Sequence, residues 1–223
     1  MTGIRRILIW SGWLRLSHWA IALSTFVLLT SGWLIANSPM HAETAVEYHY
    51  LAASLLIFGM VLRIAIFIRG KPHEQLAALF PQPAEFRGIK QTLLFYLTMA
   101  KQPLPGWYAH NPLWKLIYLF LYMIILLMLF SGVMMQSHPI VMGFYLPGVH
   151  AFWADFVAGF VFLHLLALFV HDYYAKTTDM SAMINGFRIF EVETNQNTLK
   201  GTPVVVQSMD SLLKRKDDDA NSE

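Results

Sequence analysis

Four long apolar stretches, separated by polar connections, dominate the pattern of this chain. They lie at about residues 16–36, 47–68, 113–135 and 149–172. A helix needs about 20 apolar residues to cross a hydrocarbon core about 30 Å thick. The pattern therefore predicts an all-α membrane protein whose core is a four-helix transmembrane bundle.

The connection between the second and third stretches carries a different, amphipathic pattern. In a helical projection of residues 84–101, one side carries Phe86, Ile89, Leu93, Tyr96 and Leu97. The charged residues lie elsewhere, which is typical of a helix at a membrane surface. We expect an interfacial amphipathic helix here, between transmembrane helices 2 and 3, ended by the proline and glycine residues at 103–106.

Composition supports a lipid environment and narrows the chemistry. Of the 223 residues, 56% are hydrophobic and 13% are charged, whereas soluble domains carry about 25% charged residues. The chain has no cysteine, which excludes disulfides, iron–sulfur clusters, thiolate nucleophiles and covalently attached haem c. No residue pattern indicates a nucleophile or general base, so we predict no catalytic residue. The net charge of +2 gives no indication of a nucleic-acid partner.

Lysine and arginine are unevenly distributed among the connections. They occur before the first stretch, in the middle connection and in the tail, whereas 37–46 and 136–148 contain none. The positive-inside rule then predicts that both termini and the middle connection are cytoplasmic. We expect residues 1–190 to form the transmembrane domain and 191–223 to form a polar, disordered cytoplasmic tail. A cleaved signal peptide is the competing interpretation of the first stretch, but the apolar run is long for that role.

Four histidines fall inside the apolar stretches or at their ends, namely His18, His49, His150 and His164. His150 and His164 are separated by a helical step of about 1400°, about 40° short of full turns, and by a rise of about 21 Å. Both imidazoles therefore lie on one helix face at two depths. With the predicted orientation, His49 pairs with His150 on the outer side and His18 with His164 on the inner side. Each pair can hold one haem iron between two helices of the bundle, which predicts two haems b.

Other interpretations of the histidines stay open at this stage. An intramembrane histidine can serve as a hydrogen-bonded packing residue. His171 follows His164 by seven residues on nearly the same face, and we expect it to be an interfacial or propionate-facing group rather than an iron ligand. A zinc site would need several converging ligands, usually with carboxylates or short spacings, and the sequence contains no such set. We expect His41, His73 and His138 in solvated loops.

Two arginines lie near the cytoplasmic ends of the first two spans. Arg15 and Arg63 are candidate partners for the propionates of an inner haem. Snorkelling of the guanidinium to the phosphate layer is the alternative role.

Four segments match a known family pattern. They are WLRLSHWAIALSTFVLLTSGWLI, EYHYLAASLLIFGMVLRI, AHNPLWKLIYLFLYMIILLMLFSGVMM and VHAFWADFVAGFVFLHLLALFVHDYY, followed by MINGFRIF. Over about residues 10–190 the chain resembles the b-type cytochrome subunit of Ni/Fe hydrogenases, a family that includes the related membrane subunit of formate dehydrogenase. The most specific features are the Arg-x-x-His-Trp start at Arg15 and the two histidines fourteen residues apart.

The resemblance implies two haems b with all-histidine ligation from the first, second and fourth helices. By position, these ligands are the same four histidines that the depth argument pairs. The resemblance also implies a quinone site near the start of the third helix, where His110 and Asn111 are candidates to hydrogen-bond a quinone carbonyl. Capping of the third helix by Asn111, with Pro112 in its first turn, is the structural alternative.

Together these features lead us to expect an electron-transfer subunit of a respiratory oxidoreductase complex in a bacterial inner membrane. It would relay electrons between a periplasmic redox enzyme, or a cytochrome or iron–sulfur subunit, and the quinone pool at the cytoplasmic side. The quinone, menaquinone or ubiquinone, would be reduced or its quinol oxidised. A haem-free membrane anchor or assembly subunit for a peripheral complex is the alternative, and a transporter is disfavoured because we find no internal repeat.

Overall fold

The four apolar stretches form four long helices in the structure, a computed structural model that describes residues 2–175 and 179–193. These helices are α1 (Gly12–Asn37), α2 (Ala42–Arg69), α4 (Pro112–Met134) and α5 (Leu146–Ala175). Each is long and apolar enough to cross a membrane. The prediction of an all-α membrane bundle is confirmed, and each helix extends a few residues beyond one or both ends of its apolar stretch.

The chain divides into two compact units. The larger runs from Arg6 to Ile189 and contains the four long helices. The smaller consists of Met1–Arg5 and Phe190–Glu223, whose described residues belong to strands β1 (Thr2–Leu8) and β4 (Phe187–Glu193). These two strands form a two-stranded sheet that the sequence analysis did not predict. The predicted tail at 191–223 lies outside the described residues except for its first three, which end β4.

Helices α1 and α2 form the most closely packed hairpin. Ser11 caps α1, its hydroxyl accepting a hydrogen bond from the Leu14 backbone N–H at 3.2 Å. A short 3₁₀ turn at Pro39–His41 reverses the chain into α2. Gly59 of α2 lies against α1 so closely that an added Cβ would meet Ile21 Cγ1 at 2.9 Å and Ala20 Cβ at 3.2 Å. Only glycine permits this approach, so Gly59 fixes the spacing of the hairpin.

Helices α4 and α5 form a second hairpin, which aromatic side chains hold together. Trp114 and Tyr118 of α4 contact Phe160 of α5, with ring centres 6.2 and 6.5 Å apart. The connection between the helices is a tight antiparallel pair, β2 (Ile140–Val141) and β3 (Phe144–Tyr145). Met142 and Gly143 both adopt positive φ at its turn, as a type I′ two-residue hairpin loop requires.

The hairpins share a core and leave their outer surfaces apolar. Leu56 and Met60 of α2 pack with Ile125 of α4 at the centre of the bundle. Large apolar side chains on the other faces are exposed, among them Phe26 at 69% and Leu51 at 69%. Such surfaces are unfavourable in water and favourable in lipid, which agrees with a multi-pass membrane protein.

The predicted amphipathic helix is present but shorter than expected. Helix α3 spans Phe86–Leu97, and its buried residues, Thr92 and Phe95, face the rest of the protein. The chain leaves the helix at Met99 and Ala100, which have φ of 52° and 63°. The prolines at 103–106 therefore do not end it, because the left-handed residues turn the chain first. Three residues of the predicted apolar side, at 86, 93 and 97, are exposed, as a membrane-surface helix needs.

Replacing Gly59 by alanine tests the α1–α2 contact. We expect Gly59→Ala to lower the thermal unfolding midpoint in detergent, since overpacking a close contact costs about 1–3 kcal/mol. Gly159→Ala in α5 is the matched control, because its Cβ would meet no atom within 4 Å. Equal midpoints for the two variants would contradict the close contact.

Candidate functional site

The two histidines predicted to lie on the outer side, His49 and His150 (the outer pair), face each other across the bundle. His49 of α2 and His150 of α5 have ring centres 6.3 Å apart, with an angle of 61° between the ring planes. Two metal–nitrogen bonds of about 2.0 Å, each added to about 1 Å between the nitrogen and its ring centre, would separate two axial imidazoles by about 6 Å. The spacing of this pair therefore fits one iron between the rings.

Serine hydroxyls occupy the other nitrogen of each outer ring. Ser31 Oγ lies 2.9 Å from His49 Nδ1, and Ser131 Oγ lies 3.0 Å from His150 Nδ1. Both serines are buried. With Nδ1 engaged, Nε2 is the nitrogen that each imidazole has left for a ligand.

The inner histidines line a cavity of about 490 Å³ that lies between the helices. His18 of α1 and His164 of α5 are both in its wall, which is mostly apolar and aromatic. His164 stacks on Phe160 with ring centres 5.5 Å apart. His18 Nδ1 is buried without a hydrogen-bond partner among the described residues. The volume and the lining are those of a cofactor pocket.

A buried cation lies in the wall of the same cavity. Arg63 is only 4% exposed, and its Nε and Nη1 atoms have no hydrogen-bond partner in the described part of the chain. Its guanidinium lies 4.2 Å from the ring centre of Phe67. An isolated buried charge costs several kcal/mol. The arrangement therefore fits an anionic group of a ligand, and haem propionates are such groups.

Arg15, the other predicted propionate partner, has a different contact. Its Nη1 donates a hydrogen bond to the Ile184 carbonyl, and Trp19 Nε1 donates to the Met183 carbonyl at 2.9 Å. Both carbonyls belong to the short helix α6 (Asp179–Asn185). Arg15 therefore holds α6 against α1, while Met183 and Ile184 complete the cavity wall.

The two candidate quinone residues lie at the start of α4. Asn111 caps that helix, with Oδ1 accepting from Leu113 N–H at 3.0 Å and Nδ2 donating to Thr92 Oγ1 at 3.2 Å. The capping role proposed as its alternative is thus present. His110 is packed against Trp10, with ring centres 4.9 Å apart, and lines both the inner cavity and a second, open cavity of about 560 Å³.

Two further histidines are more buried than expected. His171 is 4% exposed, and its Nε2 lies 2.5 Å from the hydroxyl of Tyr96, which itself accepts from Trp114 Nε1 at 2.8 Å. It therefore joins α5 to α3, and it also lines the inner cavity. His73 is not in a solvated loop, because its ring is half-buried and its Nε2 lies 2.8 Å from the Ile9 carbonyl.

Comparison with known proteins agrees with this geometry. The family model described as prokaryotic cytochrome b561 matches residues 9–186. The chain belongs to this family. It is therefore a membrane b-type cytochrome of electron transfer, and the family implies haem b, which the histidine pairs and the inner cavity fit.

The cytochrome is also similar to a curated protein, the "Probable Ni/Fe-hydrogenase B-type cytochrome subunit" of Cupriavidus necator strain H16. The two are 24% identical over 221 residues, which covers 85% of this chain and 89% of the relative. No solved structure matches the chain.

Sequence reasoning did not find the serines beside the outer histidines. Ser31 and Ser131 each precede a glycine within a long apolar stretch, and small residues of this kind are also common in ordinary helix packing. The repeated Ser-Gly pair was the one available signal. Its meaning depends on which helices are neighbours, which only the fold provides.

Burial of His110 makes the stability of the folded protein depend on pH in a way that can be measured. Burial, followed by the charges of Arg63 and Lys115, lowers the pKa of His110 from 6.5 to about 3. The unfolded chain therefore takes up a proton below pH 6.5 that the folded chain does not, so stability falls as pH drops from 6.5 towards 3. We expect His110→Gln to reduce this loss by about 1 kcal/mol per pH unit.

The measurement is the midpoint of thermal unfolding in detergent at several pH values between 7 and 5, which gives the slope of stability against pH. His138→Gln, at an exposed histidine of the α4–α5 connection, is the control and should retain the wild-type slope. If His110→Gln retained that slope as well, the neutral, buried state of His110 would be wrong.

Proposed function

We propose that this cytochrome relays electrons across the membrane through two haems b, one held by His49 and His150 and the other by His18 and His164. The observation that carries the proposal is the 6.3 Å spacing of the outer imidazoles, with both Nδ1 atoms engaged by serines. Haem b, when bound, supplies one-electron redox chemistry at each site. The protein would supply the histidine nitrogens that hold each haem and the charge around it.

The inner site is assigned from its cavity. His18 and His164 provide candidate axial ligands, and Arg63 provides a buried cation for a propionate. Arg15 supports the site through α6, and its buried Nε, which has no hydrogen-bond partner among the described residues, keeps it a candidate partner for a propionate. This assignment places the two sites towards opposite ends of the bundle, because His49 and His150 lie near the α1–α2 and α4–α5 connections and Arg63 lies near the end of α2.

A quinone site beside the inner cavity is the second part of the proposal. His110 borders both the apolar inner cavity and the more open, more polar one, so a hydrogen-bond donor stands where a quinone headgroup and water could meet. Asn111 contributes mainly by fixing the start of α4, since its amide already has two partners. The residues favour neither menaquinone nor ubiquinone.

The partner is proposed to be a redox enzyme, or its cytochrome or iron–sulfur subunit, on the periplasmic side of a bacterial inner membrane. The similar protein is named as a subunit of a Ni/Fe hydrogenase, which supports membership in a respiratory oxidoreductase complex. The connections nearest the outer pair carry no lysine or arginine. This supports an outer position for that pair and a cytoplasmic position for both termini.

Haem counting tests the ligand assignment. We expect His150→Ala and His164→Ala each to lower the pyridine-haemochrome content from two haems per chain to one, because each removes one axial ligand. His41→Ala, at an exposed histidine whose Nδ1 lies 2.9 Å from Ser38 Oγ, should retain both. A wild-type protein without a b-type spectrum would favour the haem-free anchor instead.

Single cysteines test the orientation, since the natural chain contains none. We expect Ser137→Cys, in the α4–α5 connection, to react with a membrane-impermeant maleimide added outside right-side-out vesicles. Gln102→Cys, in the exposed middle connection, should react only after the vesicles are opened. The reverse pattern would place the termini on the outer side.

A further inference from the structure

The two hairpins carry the same local arrangement around their outer imidazoles. In the α1–α2 hairpin, Ser31 near the end of the first helix contacts His49 near the start of the second. In the α4–α5 hairpin, Ser131 contacts His150 in the same way. Two hairpins without detectable sequence repetition thus support their imidazoles alike.

The direction of these hydrogen bonds follows from the helix backbone. Ser31 Oγ lies 2.7 Å from the Val27 carbonyl, and Ser131 Oγ lies 3.1 Å from the Met128 carbonyl. A hydroxyl has one proton, and a carbonyl can only accept it. Each serine therefore donates to its own helix and accepts from the Nδ1–H of the histidine. Backbone hydrogen bonds of His49 to Leu28 and of His150 to Met128 accompany the serine contacts. This fixes the tautomer in which Nε2 carries the free lone pair.

A glycine follows each serine and gives the imidazole room against the helix. A Cβ added at Gly32 would lie 3.6 Å from His49 Cε1, an ordinary contact, whereas one at Gly132 would lie 3.2 Å from His150 Cε1. The second distance is too short unless the ring moves by a few tenths of an ångström. The position of the His150 ring thus depends on Gly132.

A second buried serine of α1, Ser24, shows how the contact of Ser31 differs from ordinary helix packing. Ser24 is as buried as Ser131, and its hydroxyl donates to the Ala20 carbonyl at 2.7 Å. Its contacts are within its own helix, to the Ala20 and Ile21 carbonyls. The contact to an imidazole is therefore an additional property of Ser31, beyond the backbone contact that buried serines commonly make.

The inner imidazoles have a different environment. His18 Nδ1 has no hydrogen-bond partner in the described part of the chain, and His164 packs among aromatic rings. The cation of Arg63 lines their cavity. The outer pair is thus supported by hydrogen-bond acceptors, and the inner pair lies near a positive charge.

We propose that Ser31 and Ser131 are positioning residues that fix the outer imidazoles and lower the redox potential of the outer site below that of the inner one. This inference rests on the proposed function, because it requires haem at both pairs. A hydrogen bond donated by Nδ1–H makes the imidazole a stronger electron donor to the iron, which stabilises ferric iron and lowers the redox potential. A nearby cation stabilises the reduced form of a site, which has one more electron, and therefore raises its redox potential. Electrons from an outer partner would then move towards the cytoplasmic site.

The test is a redox titration of the purified holoprotein, combined with electron paramagnetic resonance of the oxidised form. We expect two resolved potentials. Ser31→Ala and Ser131→Ala should raise the lower potential by up to about 59 mV, a tenfold change in relative ferric stability, and leave the higher one in place. They should also shift the low-spin signal of one haem, because that signal depends on the angle between the imidazole planes. Ser24→Ala is the matched control.

Further variants make the assignment specific. Arg63→Met should lower the higher potential, and Gly132→Ala should shift the outer signal more than Gly32→Ala. Lower occupancy of the outer haem in the serine variants would also support positioning. The inference would be overturned if both serine variants kept the wild-type potentials, spectra and haem occupancy, or if their effects equalled those of Ser24→Ala. Neither result would contradict the proposed electron relay. A wild-type protein without haem would instead overturn the proposed function.

Discussion

A ring nitrogen of histidine inside a bilayer needs a partner from the protein or from a bound group, because lipid offers none. The end of the bundle that carries His49 and His150 is arranged around that requirement. Each imidazole gives one nitrogen to a buried serine of the preceding helix and turns towards the other imidazole, 6.3 Å away. The serine contacts lie within hairpins and the imidazole contact lies between them, so the hairpins must dock for the pair to form.

The buried charge of Arg63, in the wall of the cavity that His18 and His164 line, also needs a partner. Arg63 is buried in an apolar wall with two unpartnered nitrogens among the described residues, and Phe67 and Tyr122 offer only their ring faces. Cation–π contacts of this kind are worth about 1–2 kcal/mol, less than the cost of burying the charge. An anionic ligand would offset the remaining cost of burying the Arg63 charge. The inner cavity therefore favours a flat cofactor that has an apolar ring and carries carboxylates.

The sequence predicted the elements whose formation depends on local composition. Helix α2 begins at Ala42 and ends at Arg69, close to the apolar stretch at 47–68, because membrane thickness sets helix length. The sequence could not predict the pairing of β1 with β4, because these strands are about 180 residues apart and neither has a strong alternation of apolar and polar residues. His73 was misplaced for a similar reason, because the Ile9 carbonyl that binds it is 64 residues away.

Closure of the inner cavity depends on contacts of the same long range. Helix α6 has seven residues, too few for a stable helix in isolation. It is held by the Asp172 carboxylate, which accepts from the backbone N–H groups of Asp179 and Met180, and by the hydrogen bonds of Arg15 and Trp19 from α1. The Arg-x-x-His-Trp segment thus has two tasks. His18 and Trp19 line the cavity, and Arg15 and Trp19 also attach the helix that completes its wall.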